Sequence, residues 1–70
     1  MLNVAIVGLG WWGRNIVGQL RGNRTLQPVV LVDVNQQAGG EFAGSQELPF
    51  VADLAQALAD PRVQGVVLCT

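Results

Sequence analysis

The chain has 70 residues, half of them apolar and 13% charged, with a formal net charge of −1. This composition is too apolar for a disordered chain, and it lacks the basic footprint that nucleic acid or an anionic membrane surface would attract. There is no His, Tyr or Lys, and Cys69 is the single cysteine, so an internal disulfide is excluded and little remains for a metal site or a proton-transfer pair tuned to neutral pH.

The first element is "LNVAIVG", a nearly unbroken aliphatic run. Such a run suits a parallel strand covered on both faces. A helix is expected from Trp11 to Arg21, with Trp12, Ile16 and Leu20 spaced by four to make its buried stripe. Gly22 suits a left-handed C-terminal cap. The second strand lies in "QPVVLVDVN", where Pro28 stands at the start and Val29 to Val32 carry the β signal. Asn35 caps a weak second helix over about Gln36 to Ala43, with Gly39 and Gly40 each costing about 1 kcal/mol relative to Ala.

"PFVA" reads as a short third strand. Asp53 and Gln56 have the spacing of a capping box for a helix through Leu54, Ala57 and Leu58, and Pro61 ends it. "VQGVVLCT" is the fourth strand. The expected fold class is α/β, in the order β-α-β-α-β-α-β. With right-handed connections this is the first half of a doubly wound parallel sheet with strand order 3-2-1-4. The third helix then crosses to the face opposite the first two.

No repeat or linker interrupts the chain. Seventy residues make at most one small domain, and residues 1–70 read as the N-terminal portion of a larger one. A core of this size is marginal alone, so the isolated chain is expected to be weakly stable or self-associating. The stretch after Met1 lacks the basic region of a secretory leader, and no apolar run is long enough to span a bilayer. A cytoplasmic location is the expectation.

Chemistry concentrates at "VGLGWWGRNI". Gly8, Gly10 and Gly13 form a G-x-G-x-x-G turn that follows a strand, opens a helix and is answered by an acid at the end of the next strand. Asp33 falls 20 residues after Gly13. Gly8 permits the tight turn, Gly10 lets a pyrophosphate touch the backbone, and Gly13 lets helix and strand approach closely. The unpaired N–H groups at the helix start would donate to the diphosphate. Asp33 would accept hydrogen bonds from ribose hydroxyls and repel a 2′-phosphate. No Arg or Lys follows it in "DVNQQ", so NAD is expected over NADP. The competing reading makes Asp33 and Asn35 a turn and cap pair after a strand.

Together, "VAIVGLGWWGRNI", "VVLVDVN" and "FVADLAQALADPRVQGVVLCT" resemble the start of the Gfo/Idh/MocA oxidoreductases, the group of glucose–fructose oxidoreductase and inositol dehydrogenase. The resemblance covers essentially the whole chain. It implies the N-terminal part of an NAD(P)-binding Rossmann domain, followed in the parent by a substrate domain that often drives homo-oligomerisation. The parent would move a hydride between nicotinamide and a sugar, inositol or related polyol. Its catalytic lysine, in a Glu-Lys-Pro motif, would lie beyond residue 70, so no catalytic and no metal-binding residue is assigned here, and the 70 residues alone are not expected to be an active enzyme. Cofactor contact would come from Leu9, Gly10, Trp11 and Trp12 at the turn, Asp33, Val34 and Asn35 at the ribose, and Cys69 and Thr70 at the end of the fourth strand. Gly39–Gly40 departs from the pattern and puts the second helix in doubt.

The tryptophans admit three readings. One ring walls the cofactor, both pack on the absent second domain, or Trp12 is core. Arg14 either reaches a phosphate or is simply solvated, and Cys69 is a small core residue rather than a nucleophile. Asp60 and Arg62 belong to a solvated turn. Two rival classes remain: another dehydrogenase with the same turn, of the homoserine or glyceraldehyde-phosphate type, and a non-enzymatic NAD-sensing domain.

Overall fold

A computed structural model describes residues 2–22 and 25–69. Seven elements follow in the expected order: β1 (Leu2–Val7), α1 (Trp11–Leu20), β2 (Leu26–Val32), α2 (Gln36–Ser45), β3 (Phe50–Val51), α3 (Leu54–Leu58) and β4 (Gly65–Leu68). The strands form one parallel sheet in the order β3-β2-β1-β4. β1 is central, and its side chains alternate into two cores. Val4 and Ile6 join Leu9, Val17, Leu31 and Ala43 under α1 and α2. Ala5 joins Val29, Val30, Val32 and Ala57 under α3. Burial on both faces is why β1 reads as an unbroken aliphatic run rather than an alternating one.

Pro28 lies inside β2, not at its start. Val4 pairs with Pro28, but Ala5 pairs with Val30, so Val29 is an extra residue in the ladder. Proline has no N–H to give the ladder, and a bulge is where a strand accommodates it. The bulge places Val29 and Val30 in the same core, and alternation resumes with Leu31 on the other side.

The helix α1 is rolled relative to the expected stripe. Its buried residues are Gly13 and Val17; Ile16 and Leu20 are half-buried, and Trp12 is 66% exposed. The cause is Gly13, where a Cβ would overlap the Gly8 carbonyl oxygen and lie 2.8 Å from its carbon. Closest approach at Gly13 turns the 13/17 line into the sheet. Trp12, about 100° round the helix, swings outward. Trp12 is therefore not core. At the other end Arg21 caps α1 and Gly22 takes φ +86°, the left-handed conformation expected of it.

The doubt over the second helix is also corrected. The helix α2 runs ten residues, two beyond the expected end, and buries Gly39 and Ala43. Asn35 Oδ1 accepts the Ala38 N–H at 3.1 Å. Gly39 is a packing residue: a Cβ there would stand 2.6 Å from Phe50 Cε1 and 3.2 Å from Asp33 Cβ. The helix tolerates the weak propensity because only glycine lets it lie against β3 and the end of β2. The short helix α3, capped by Asp53 through the Ala55 N–H at 2.7 Å, covers the opposite face alone. Leu58 and Leu68 stay exposed on that side. Among the described residues no helix is long and apolar enough to cross a membrane.

Candidate functional site

The C-terminal ends of β1, β2 and β4 meet at the start of α1. β1 runs into Gly8, which leaves the strand at φ +94° while its N–H still bonds Val32 O at 2.9 Å. The chain therefore turns sharply but stays tied to β2. Leu9 buries its side chain, 2% exposed, in the core under α1. Gly10 is the N-cap of α1, and no side chain caps the helix there. The first bond across the cap is Arg14 N–H to Gly10 O at 3.0 Å. The amides of Trp11, Trp12 and Gly13 precede that bond, as helix geometry requires. No acidic residue stands in the first turn, so the positive end of the helix dipole has no counter-charge of its own.

The three glycines separate cleanly by cause. Gly8 is required by its positive φ and Gly13 by overlap with Gly8. Gly10 is required by neither: its φ of −71° suits any residue, and a Cβ would meet nothing within 4 Å. The protein's own packing gives no reason for glycine at this position.

Asp33, one residue past β2, comes to the same place. Its Oδ2 accepts the Leu9 N–H at 2.7 Å and its Oδ1 the Asn35 N–H at 2.9 Å. The Asn35 and Leu9 amides, with Arg14 nearby, hold its carboxyl below the ordinary carboxylate range against a smaller opposing effect of burial. It is thus an anchored, ionised acceptor with lone pairs to spare. The turn-and-cap reading of Asp33 is true as far as Asn35 goes, but the bond to Leu9, 24 residues away, ties it to the glycine turn.

The remaining candidates are spread around this centre. Trp11 and Trp12 are 70% and 66% exposed and touch edge to face, centroids 4.9 Å apart at 80°. Val34 is 88% exposed and Asn35 is exposed beside it. Cys69 is half-buried below the first turn of α1, where its Cβ lies 3.7 Å from the Cβ position of Gly13. Burial raises its thiol pKa, so it stays protonated, as a packing residue would. Thr70 and Arg24 lie outside the described residues. The exposed Arg62 and half-buried Asp60 form an ion pair at 2.7 Å, remote from the glycine turn in sequence.

Sequence reasoning missed the work of Arg14. It is exposed, as a solvated arginine would be, yet its side chain is engaged: Nε donates to Leu9 O at 2.9 Å, and the guanidinium lies 5.1 Å from the centroid of the Phe42 ring. No local pattern announces such a contact, because its acceptor depends on how one turn peptide is oriented.

The family model of the GFO_IDH_MocA oxidoreductases, NAD-binding Rossmann fold, matches residues 2–70. The chain belongs to this family. GenD2 from gentamicin A biosynthesis, solved in complex with NAD, is 30% identical and superposes with a TM-score of 0.89 over 99% of this chain and 20% of its own. A myo-inositol dehydrogenase from Corynebacterium glutamicum is 23% identical, TM-score 0.88, over 100% of this chain and 21% of its own. A myo-inositol dehydrogenase from Lactobacillus casei, in complex with NAD(H) and myo-inositol, is 22% identical, TM-score 0.85, over 100% and 22%. These last two show the shared fold. The chain spans about a fifth of the length of the structures it matches. No curated protein matches it.

For this member of an NAD-binding family the residues present fit the cofactor. A Cβ at Gly10 would meet nothing within 4 Å, no side chain caps the start of α1, and a fixed carboxylate is hydrogen-bonded to the N–H of Leu9, the residue before Gly10.

Proposed function

We propose that residues 1–70 are the N-terminal, cofactor-holding portion of the dinucleotide domain of an NAD-dependent oxidoreductase whose substrate is a sugar, inositol or related polyol. The amides of Gly10, Trp11 and Trp12 bind the diphosphate, and Asp33 accepts hydrogen bonds from the adenine-side ribose. The observation that carries this reading is Gly10. It has no packing reason to be glycine, and it opens an uncapped helix beside Asp33.

Val34 and Asn35 flank the ribose position, and Cys69 closes the far side of the crevice. NAD is favoured over NADP because Asp33 is ionised and a 2′-phosphate would meet its charge. Bound NAD would supply the hydride chemistry. The residues of this chain bind, orient and shield. The side chains that move protons are assigned to the remainder of the parent, as is the substrate. The inositol dehydrogenases sharing the fold support a polyol, and a cytoplasmic homo-oligomer is the accompanying expectation.

The test is calorimetric titration of the full chain with NAD and NADP, for wild type, Gly10→Val and Asp33→Ser. NAD binding that weakens in both variants, with selectivity against NADP relaxed in Asp33→Ser, supports the reading. Equal affinity of all three proteins for NAD defeats it. Turnover of polyols by the complete parent then separates the oxidoreductase from an NAD sensor.

A further inference from the structure

Leu9 is held at three points. Its N–H is on Asp33 Oδ2 at 2.7 Å, its carbonyl oxygen on Arg14 Nε at 2.9 Å, and its side chain is 2% exposed in the core. The carbonyl belongs to the Leu9–Gly10 peptide, whose other polar group is the Gly10 N–H. No peptide bond among the described residues is cis. In a trans peptide the C=O and N–H point in opposite directions. Arg14, by drawing the Leu9 oxygen to itself, therefore turns the Gly10 N–H to the opposite side, and a Cβ on Gly10 would meet nothing within 4 Å, so a ligand can approach this residue.

We propose that Arg14 is a positioning residue for the diphosphate, one that aims the Gly10 amide at the anion without touching the anion itself. This rests on the dinucleotide reading above. A peptide rotated the other way would present its negative end to the phosphates, so the same bond both supplies a donor and withdraws a repulsion. Phe42 completes the device. The planar guanidinium lies by the ring while its Nε edge donates sideways to Leu9, a geometry a lysine ammonium cannot reproduce.

The experiment compares wild type, Arg14→Lys and Arg14→Gln as full chains. It reads the Gly10 amide resonance by NMR without ligand, then affinity for NAD and for inorganic pyrophosphate. The positioning role predicts that the Gly10 resonance moves in both variants before any ligand is added. It predicts that NAD binds about tenfold more weakly to both, the factor that ~1.4 kcal/mol corresponds to. A direct phosphate contact predicts instead that Arg14→Lys keeps its affinity while Arg14→Gln loses affinity and salt dependence together; that result overturns the proposal. An unmoved Gly10 resonance with NAD still bound also overturns it alone, leaving the dinucleotide reading intact. A wild-type chain that takes up neither NAD nor pyrophosphate overturns both. Should the variants fail to fold, the Arg14 Nε–H of wild type decides: slow hydrogen exchange supports the bond to Leu9, and exchange as fast as a solvated arginine overturns it.

Discussion

The main-chain N–H of Leu9 donates to Asp33 Oδ2 across 2.7 Å, joining the glycine turn to the end of the neighbouring strand. A second amide, that of Asn35, holds Oδ1 at 2.9 Å. These bonds favour the ionised carboxyl, and the folded pKa is depressed below its unfolded value of about 3.9. The folded state therefore releases this proton more readily than the unfolded state. Stability from Asp33 is fully present above the ordinary carboxylate range and is lost as the pH falls through the folded pKa. Urea midpoints measured from pH 7 down to pH 2 should fall in wild type and fall less in Asp33→Asn. Asp60, held down to about 2 chiefly by its side-chain hydrogen bond with Arg62, titrates in the same acid region, so Asp60→Asn serves as the comparison. At pH 7, Asp33→Ala should cost ~1–3 kcal/mol, because two amides lose a charged acceptor. Identical acid profiles for wild type and Asp33→Asn would show that the carboxylate is not anchored by these bonds.

Gly10 and Gly13 should respond in opposite ways to the same added methyl. At Gly13 the new carbon would overlap backbone, the Gly8 carbonyl, which has no flexible end to move aside. Gly13→Ala should therefore destabilise at or above the ~1–3 kcal/mol typical of overpacking. At Gly10 the methyl meets nothing, and φ is already −71°. Gly10→Ala should leave the thermal midpoint nearly unchanged while weakening NAD binding. Thermal denaturation paired with NAD titration separates the two. Loss of stability in Gly10→Ala, with NAD affinity retained, would move glycine's purpose there from ligand to fold.

Much of this is legible in the sequence. The unbroken run at Val4–Val7 implies a strand covered twice, the alternation of runs and helices implies the 3-2-1-4 order, and an acid at the end of the second strand implies a carboxylate at the glycine turn, where Asp33 bonds Leu9. What escaped depends on contacts between residues far apart in sequence. The roll of α1 is set by one backbone overlap at Gly13, which no apolar periodicity encodes, so the Trp12–Ile16–Leu20 stripe pointed slightly wrong. Propensity counted Gly39 as a flaw in α2 because the opposing ring, Phe50, belongs to a different element. Pro28 signalled a strand start, yet a one-residue bulge lets the ladder continue past it.

Gly39 gives a test with a reversal of sign. Alanine normally favours a helix interior over glycine by up to ~1 kcal/mol. Gly40 and Gly44 in α2 face open space, so Gly40→Ala and Gly44→Ala should raise the unfolding midpoint. Gly39→Ala should lower it, since its methyl would press on the Phe50 ring and on Asp33 Cβ. Displacement of Asp33 should also weaken NAD binding in that variant alone. Three single variants, melted under one condition, read the pattern. Stabilisation by Gly39→Ala equal to that at Gly40 would mean α2 does not lie against β3 as closely as described.

The exposed tryptophans remain the feature the fold explains least. Neither ring is core, and their edge-to-face contact, worth about 0.5–1.5 kcal/mol, is the one ring–ring contact recorded among the described residues. Trp11→Ala and Trp12→Ala should each lower stability by no more than about that amount, a shift readable in urea denaturation. Both rings stand on the helix turn whose amides are assigned to the diphosphate, so a ring that covers NAD should report its arrival. Tryptophan fluorescence should change on titration with NAD, the change should survive in one single variant and vanish in the other, and the second should bind NAD more weakly. A fluorescence response retained in both variants, with NAD affinity unaltered, would remove the rings from the cofactor and leave them as surface for another part of the parent protein.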